Sequence, residues 1–277
     1  MSSRQKKVQA VLDLVKSQDR TSLTAPECKT ICDAYDIPIP REGVAQSATE
    51  AVGIANDIGY PVVMKIISPD ILHKTEAGGV LIGISDSEKA AAGYESITSN
   101  AKAYKSDADI TGVQIQAMVA SDGQEVIVGA VTDPSFGKLV AFGLGGILVE
   151  VLKDITFRLA PVKTDDAQSM LNSIQAAKVL DGVRGSEGID RNALVKIIVN
   201  VSELIGDFRE IQEIDLNPIL ADANGATAVD ALISVDFSPA KEIYRPTQDE
   251  ILVAMNRIMN PKAVAVIGAS DREGKIG

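Results

Sequence analysis

The stretch YPVVMKIISPDILHKTEAGGVLIGI, residues 60–84, places a polar, glycine-ended loop between two short apolar runs. The runs VVMKII and VLIGI are typical of buried strands, and the loop between them carries His73, the single histidine of the chain. Lys65 lies inside the first run. A lysine there either extends its ammonium group to solvent or points into a cleft where an anion compensates its desolvation.

The loop supplies groups that are suited to binding phosphate. His73 is followed by Lys74 and Thr75, and then by the pair Gly78 and Gly79. Cationic side chains and the backbone N–H groups of a glycine turn can surround a phosphate. A lysine-bearing strand followed by such a loop therefore predicts a phosphate site, although a lone histidine, considered by itself, is more often structural.

A second polar segment supplies carboxylates. In QEIDLNPIL, residues 212–220, strand alternation places Glu213, Asp215 and Asn217 on one face. Asp230 follows in ATAVDALISV, which we interpret as the returning strand of a hairpin around the turn ADANG. The hairpin would bring Asn217 and Asp230 together, and such oxygen ligands suit Mg²⁺ bound to nucleotide phosphates. The alternative is a set of solvated residues on an exposed sheet face.

Helical and strand patterns follow one another without strict alternation along the rest of the chain. We predict helices over 6–16, from Thr24 to the prolines of DIPIP, around ATEAVGIANDIG, over 87–104, near 165–179 and over 190–206. Further strands are GVQIQAMV, EVIVGAV, KLVAFG and REIQEIDLNPIL. Strands joined by turns, with helices interspersed, predict a mixed α+β domain with a mainly antiparallel sheet.

Composition excludes several classes of protein. The 27 basic and 38 acidic residues give a net charge of −11, which argues against nucleic-acid binding but not against small anionic ligands. No apolar run has the length of a membrane span, and the N-terminus lacks a signal-peptide core. Cys28 and Cys32 lie on one predicted helix, so we expect two reduced thiols in a cytoplasmic protein.

The C-terminal segment has a pattern of its own. Residues 238–247 are typical of a linker, and one more helix precedes AVAVIGASDREGKIG. Val264 to Ile267 predict a buried strand that enters a glycine turn, the opening of a βαβ unit. Neither the G-x-G-x-x-G nor the Walker pattern is matched there. We expect the chain to be the front part of a longer protein.

Ordered segments of the chain resemble a known family. YPVVMKIISPDILHKTEAGGV, the run from QAMVASDGQEVIVGAV to DITFRLAPV, and EIDLNPIL with AVDALISV resemble the ATP-grasp domain of the NDP-forming acyl-CoA synthetases, relatives of succinyl-CoA synthetase. PKAVAVIGASDREGKIG resembles the start of the family's CoA-binding domain. The resemblance implies an α+β ATP-grasp fold in which two subdomains enclose the nucleotide. The implied segments are an N-terminal helix over 1–21, an ATP-grasp domain over 22–237 with its lid at about 40–110, a linker and helix over 238–260, and the first strand of a Rossmann-like CoA-binding domain within 261–277.

The resemblance also implies a role for each residue of the phosphate loop and its strand. Lys65 would hold the nucleotide phosphates together with Lys74, and Gly78 and Gly79 would belong to the phosphate-binding lid. His73 matches a position at which the acetyl-CoA synthetase branch of the family carries a phosphoryl group.

Other implied roles concern the base and the metal ion. Gln116, Met118 and Val119 match a hinge whose backbone recognises adenine, and Glu125 matches an acidic nucleotide contact. The implied Mg²⁺ ligands are Asn217, Asp230 and Asp215, with Glu213 as an alternative outer partner.

Family chemistry interconverts acid, CoA and ATP with acyl-CoA, ADP and phosphate, through an acyl phosphate and a phosphohistidine on the α part. The resemblance therefore implies Mg²⁺ and ATP or ADP as ligands, CoA and a carboxylic acid as substrates, and the α part of the same polypeptide as partner, in a homo-oligomer. Two alternatives remain, namely an ATP-grasp carboxylate–amine ligase and a non-catalytic nucleotide-binding module.

Overall fold

The computed structural model describes residues 1–71, 73–119, 123–146, 154–182, 187–239 and 246–265. The chain divides into two compact units, Met1–Phe237 and Ser238–Gly277. The first unit contains two sheets, each with its own apolar core. Within the described ranges, no helix combines the length and the apolar character needed to cross a membrane.

The described helices and strands are numbered in chain order. The α-helices are α1 (Ser3–Ser17), α2 (Ala25–Ala34), α3 (Ala48–Ile58), α4 (Ser87–Tyr104), α5 (Thr164–Ser173), α6 (Arg191–Asp207) and α7 (Gln248–Met259), with a 3₁₀ helix at Ala177–Asp181. The strands are β1 (Glu42–Ala45), β2 (Val62–Ile67), β3 (Val80–Ile84), β4 (Gly112–Ala117), β5 (Gln124–Asp133), β6 (Gly137–Leu144), β7 (Ile155–Leu159), β8 (Ile211–Asp222), β9 (Gly225–Ala228) and β10 (Ala231–Val235).

The smaller sheet has the strand order β1-β4-β2-β3, and all its pairs are antiparallel. Strand β2 buries Val62, Met64 and Ile66 in one apolar core with buried residues of α3 and α4. Because side chains alternate along a strand, Lys65 lies on the opposite face of this sheet. The alternation thus leaves one lysine facing away from the apolar core.

The larger sheet has the order β10-β8-β5-β6-β7, with β9 paired to β8, again antiparallel throughout. Helices α1, α2, α5 and α6 pack on it, and Val8, Leu12 and Val15 of α1 are fully buried in that core. The predicted N-terminal helix is therefore an integral part of the larger subdomain. The mainly antiparallel α+β architecture is confirmed.

The start of α2 follows its sequence pattern. Thr24 is the N-cap, Glu27 closes a capping box, and Pro26 lies in the first turn. Cys28 and Cys32 are buried free thiols on this helix. Burial raises the pKa of Cys28 to about 12 and raises that of Cys32 as well.

Two strands, β1 and β7, have no counterpart in the sequence predictions. Strand β1 is only four residues long and lacks an alternating pattern, whereas β7 (ITFRL) does alternate but is only five residues long and has no buried residue. Strand β4 belongs to the smaller sheet, so that subdomain extends past the predicted boundary near residue 110 to Ala117.

The predicted helix near 165–179 is interrupted. Helix α5 ends at Ser173, and a separate 3₁₀ helix follows. A side chain distant in the sequence stabilises the interruption: the carboxylate of Asp154 accepts hydrogen bonds from the backbone N–H groups of Gln175 (2.7 Å) and Ala176 (2.9 Å). These bonds hold the chain in a turn between the two helices.

The predicted returning strand 226–235 is also two strands, β9 and β10, separated at Val229 and Asp230. The N–H of Val229 still donates to the carbonyl of Pro218 at 3.0 Å, but its carbonyl accepts from Lys65 of the other sheet. The break therefore makes a backbone carbonyl available to the smaller sheet.

The predicted strand at Val264–Ile267 is not observed in its described half. Val264 is 77% exposed, and neither it nor Ala265 belongs to a strand. Residues 266–277 lie outside the described residues, so the start of a CoA-binding domain stays a prediction.

Candidate functional site

Lys65 connects the two sheets of the first unit. Its Nζ donates hydrogen bonds to Oε1 of Gln116 on β4 (3.2 Å) and to the carbonyl of Val229 (2.8 Å). Burial lowers the pKa of Lys65, while the nearby carboxylate of Asp230 opposes that shift. Of the two possibilities for this lysine, the structure shows the one in which it points into the interior between the sheets.

The loop after β2 is a closed turn. The N–H of Ala77 donates to the carbonyl of His73 (3.2 Å), and the N–H of Gly79 donates to the carbonyl of Lys74 (2.8 Å). Gly78 has φ +61°, which favours glycine, and the N–H of Gly78 donates to Thr75 (3.1 Å). Both glycine amides are thus engaged within the turn, and their predicted role as phosphate donors stays a prediction.

His73 and Lys74 lie side by side in this loop but differ in their contacts. The side chain of His73 is exposed and makes no hydrogen bond or ion pair within the described part of the chain. The Nζ atom of Lys74 lies 3.9 Å from Oδ2 of Asp230. The loop therefore presents an accessible imidazole next to a lysine that reaches the larger sheet.

Asn100 contacts the loop from outside it and was not predicted from the sequence. Nδ2 of Asn100, on α4, donates to the carbonyl of Gly78 at 3.1 Å. The pattern of α4 indicates a helix but gives no sign of which surface residue reaches the loop, so only the tertiary packing could identify Asn100.

The acidic residues lie on one face of β8. Glu213 and Asn217 are exposed and Asp215 is partly exposed, while the intervening apolar residues are buried, as strand alternation predicts. Pairing of β8 with β9 and then β10 places Asn217 and its neighbour opposite the break that contains Asp230. Burial, followed by the charges of Glu213 and Asp230, raises the pKa of Asp215.

This set of oxygen atoms fits Mg²⁺ bound through a nucleotide better than a metal held by protein alone. Within the described residues, no group of three or more His, Cys, Asp or Glu side chains could hold a metal ion. Mg²⁺ commonly binds one or two carboxylates and fills its other positions with phosphate oxygens and water. Burial, and after it the like charges of Glu213 and Asp230, raise the pKa of Asp215, and a bound cation would stabilise its ionised form against both. Asn217, Asp230 and Asp215 are therefore suitable ligands.

The predicted hinge lies at the end of β4. The backbone N–H of Ala117 donates to Arg41 (2.8 Å) and that of Met118 donates to Pro61 (3.2 Å). Val119 lines an open cleft of about 200 Å³ beside the β8–β9 turn. Glu125 lies on the neighbouring strand β5 with its side chain exposed. One hinge residue, Val119, thus borders a cleft, whereas the predicted adenine contacts stay a prediction.

Comparisons with known proteins agree with this geometry. Residues 14–235 match the family model of an ATP-grasp domain. The chain is 48% identical over 225 residues to the acetate–CoA ligase [ADP-forming] I subunit beta of Pyrococcus furiosus, covering 81% of this chain and 96% of that protein. This chain belongs to the ATP-grasp family, within its ADP-forming acetate–CoA ligase β-subunit branch.

Solved structures extend the comparison. A chain of the dinucleotide-forming acetyl-coenzyme A synthetase 1 of Ca. Korarchaeum cryptofilum, in complex with coenzyme A, Ca-AMPCP and HgCl⁺, superposes with a TM-score of 0.80 at 38% identity, covering 82% of this chain and 99% of that one. In another structure of that enzyme, with coenzyme A and Mg-AMPPCP, the phosphohistidine segment points towards the nucleotide binding site. Its matched chain has a TM-score of 0.74 at 35% identity, covering 83% and 100% of the two chains.

Glu42 is a further charged residue in this ATP-grasp domain that sequence reasoning missed. It lies on β1, and its Oε2 accepts hydrogen bonds from Nε2 of Gln114 and of Gln116, each at 2.8 Å. Together with Asp230, these three side chains line a small cavity with room for about one water molecule. A glutamate in a short strand shows no pattern that distinguishes it from a surface residue, which is why it was missed.

Proposed function

We propose that this chain is the nucleotide-binding part of an ADP-forming acyl-CoA ligase, in which His73 carries a phosphoryl group between the nucleotide and the α part. The enzyme interconverts acid, CoA and ATP with acyl-CoA, ADP and phosphate. The observation that carries the proposal is the cluster of Lys65, Lys74 and Asp230, which joins the His73 loop to the acidic face of β8.

The relatives support this assignment. The Pyrococcus furiosus protein is named as the β subunit of an ADP-forming acetate–CoA ligase, and this chain covers nearly all of it. The Ca. Korarchaeum cryptofilum enzyme has a phosphohistidine segment that points towards its nucleotide site. His73 is exposed, so it would be accessible to such a segment from the α part.

The proposed step conserves atoms and charge. In the direction of ATP formation, a terminal phosphate oxygen of ADP forms a bond to the phosphorus on His73. The nitrogen–phosphorus bond breaks and its electron pair stays on the ring nitrogen. With a proton on the other ring nitrogen, the side chain leaves as neutral imidazole, which is a good leaving group. Lys65 and Lys74 supply positive charge beside the transferred group.

The nucleotide and the metal ion would lie between the two sheets. Mg²⁺ held by Asn217, Asp230 and Asp215 would neutralise phosphate charge during transfer. Lys65 would bind phosphate oxygens, and its carbonyl partner at Val229 keeps it beside the metal ligands. The hinge at Gln116–Val119 and Glu125 would contact the rest of the nucleotide.

The proposed partner is the α part of the enzyme, as a separate subunit or in the same polypeptide. It would supply the binding sites for CoA and the carboxylic acid and the second phosphohistidine. A homo-oligomeric assembly and a cytoplasmic location belong to the same proposal.

The test uses the chain together with its α part, γ-labelled ATP and Mg²⁺. His73→Asn should abolish acid-labile labelling of this chain and reduce acyl-CoA formation at least about a hundredfold, as expected when a covalent carrier is lost. Glu76→Gln, an exposed change in the same loop, is the matched control and should retain the parental rate. Parental transfer of label to the α part by His73→Asn would disprove the relay.

The same experiment separates the alternatives. A carboxylate–amine ligase would form its acyl phosphate directly from ATP, so His73→Asn would keep full phosphoryl transfer. A non-catalytic module would bind nucleotide with no labelling of either part. Loss of labelling in His73→Asn alone, with nucleotide binding retained, is the result expected here.

A further inference from the structure

The carboxylate of Glu42 satisfies two buried amide groups at once. Glu42 lies directly opposite Gln116 in the antiparallel pairing of β1 with β4. Its Oε2 accepts from Nε2 of both Gln114 and Gln116 at 2.8 Å. The two glutamines are only 4% and 3% exposed, so little water reaches them in place of this carboxylate.

These hydrogen bonds determine which way the amide of Gln116 faces. Because its Nε2 donates to Glu42, its Oε1 faces the other way and accepts from Nζ of Lys65 at 3.2 Å. A reversed amide would place its NH₂ group against the ammonium of Lys65, and two donors cannot form a hydrogen bond. The orientation of the Gln116 amide therefore decides whether Lys65 has a second acceptor besides the carbonyl of Val229.

The charges around Lys65 favour the same arrangement. Asp230, in the break between β9 and β10, and Glu42, on β1, both oppose the fall in the pKa of Lys65 that burial causes. Burial raises the pKa of Glu42 itself, and its hydrogen bonds to Gln116 and Gln114 oppose that rise. A continuous path thus runs from Glu42 through Gln116 and Lys65 to the carbonyl of Val229.

We propose that Glu42 is a positioning residue for nucleotide binding: it fixes the amide of Gln116, which in turn holds the ammonium of Lys65 toward the phosphate site. This inference rests on the proposed nucleotide function and goes beyond it, because Glu42 itself need not touch the nucleotide. Gln114 shares the same carboxylate but has no hydrogen bond to Lys65. The two glutamines therefore form a natural pair of test and control positions.

The experiment measures binding of Mg–ADP to the intact chain by calorimetry, together with the thermal midpoint of each variant. Glu42→Ala and Gln116→Met should each raise the Kd about tenfold, because each removes a hydrogen bond on the path to a charged group. The double variant should be no weaker than either single variant, since both act through one path. Gln114→Met should lower the thermal midpoint and leave the Kd at the parental value.

A conservative substitution distinguishes positioning from folding. In Glu42→Gln an amide oxygen can still accept from Gln116, so the Kd should return to within about threefold of the parent. Parental affinity in Glu42→Ala, or a double variant whose losses multiply, would overturn the proposal. If Glu42→Ala does not fold, equal Kd values for Gln116→Met and Gln114→Met would overturn it instead.

This result is independent of the phosphoryl relay. Mg–ADP binding requires no reaction at His73, so calorimetry measures the effect of Glu42 without any phosphoryl transfer. If His73→Asn keeps parental phosphoryl transfer while Glu42→Ala still weakens Mg–ADP binding, the proposed role of His73 is rejected and the positioning role of Glu42 stands.

Discussion

The ammonium group of Lys74 lies 3.9 Å from the carboxylate of Asp230 and so joins the His73 loop to the connection between β9 and β10. Both side chains are partly exposed, at 32% and 46%. The contact places a positive charge beside a predicted metal ligand, one residue from the proposed phosphoryl carrier. Replacing Lys74 can therefore show whether this contact matters more for catalysis than for the stability of the fold.

Replacing Lys74 by Met should weaken catalysis more than folding. Exposed ion pairs contribute about 0–1 kcal/mol, so the thermal midpoint should change little. The KM for ATP should rise about tenfold, because a cation beside the phosphates is lost. Lys89→Met is the matched control: it breaks a closer ion pair, 3.2 Å to Asp86 at the start of α4, outside the loop. Equal KM values for the two variants would contradict a role for Lys74.

Replacing Gly79 by Ala should disturb the loop sterically. A Cβ atom there would lie 2.5 Å from Cγ2 of Ile66 and 3.0 Å from the carbonyl of Lys74. Overpacking of this kind costs about 1–3 kcal/mol, and the displaced loop should lose most phosphoryl transfer. Gly53→Ala on α3 is the control, since its Cβ would meet nothing within 4 Å and alanine should stabilise the helix. Thermal melts and labelling assays on both variants check the contrast.

Replacing Asn100 by Ala should release the loop from α4. The variant loses the hydrogen bond to the carbonyl of Gly78, with a cost of about 1 kcal/mol. Amide hydrogen exchange over residues 73–79 should accelerate, and the rate of phosphoryl transfer should fall. Asn200→Ala removes a similar bond, 3.2 Å to the carbonyl of Asp36, away from the site. Faster exchange of the loop in that control as well would argue against a specific hold by Asn100.

Replacing Asp215 by Asn should stabilise the unliganded protein while weakening Mg–nucleotide binding. Folding raises the pKa of Asp215 above its ordinary 3.8, so the ionised carboxylate destabilises the folded state. That penalty is absent below pH 3.8, grows as the pH rises toward the raised pKa, and is complete above it. The variant should gain about 0.5–1 kcal/mol at pH 7 and less as the pH falls toward 4.

Thermal melts at several pH values, with and without Mg–ADP, measure both effects of Asp215→Asn. The exposed Asp57→Asn on α3 controls for the simple loss of one negative charge. A variant less stable than the parent at pH 7, or one that binds Mg–ADP with parental affinity, would refute the expected trade-off.

Local patterns predicted most of the helices and strands, because the spacing of apolar residues involves only positions close together in the sequence. The apolar run VVMKII predicted a buried strand with one lysine in it, and the structure confirms the strand as β2. The same logic placed Glu213, Asp215 and Asn217 on one face of β8. Patterns failed where an element is short, as in β1, or where a distant side chain ends it, as Asp154 does after α5.

Which residues meet could not be deduced from periodicity, because contacts between the sheets join positions far apart in the chain. Lys65 and the carbonyl of Val229 are separated by 164 positions, and only the packing of the two sheets brings them to 2.8 Å. The buried amides of Gln114 and Gln116 likewise require a partner that β1 supplies in the folded state. Residue types and their spacing thus determined the strands, helices and candidate chemistry, whereas long-range pairing decided that Glu42, Gln116, Lys65 and Asp230 form one site. A side chain's own strand specifies its face, but burial and hydrogen bonding depend on what the rest of the chain places against that face.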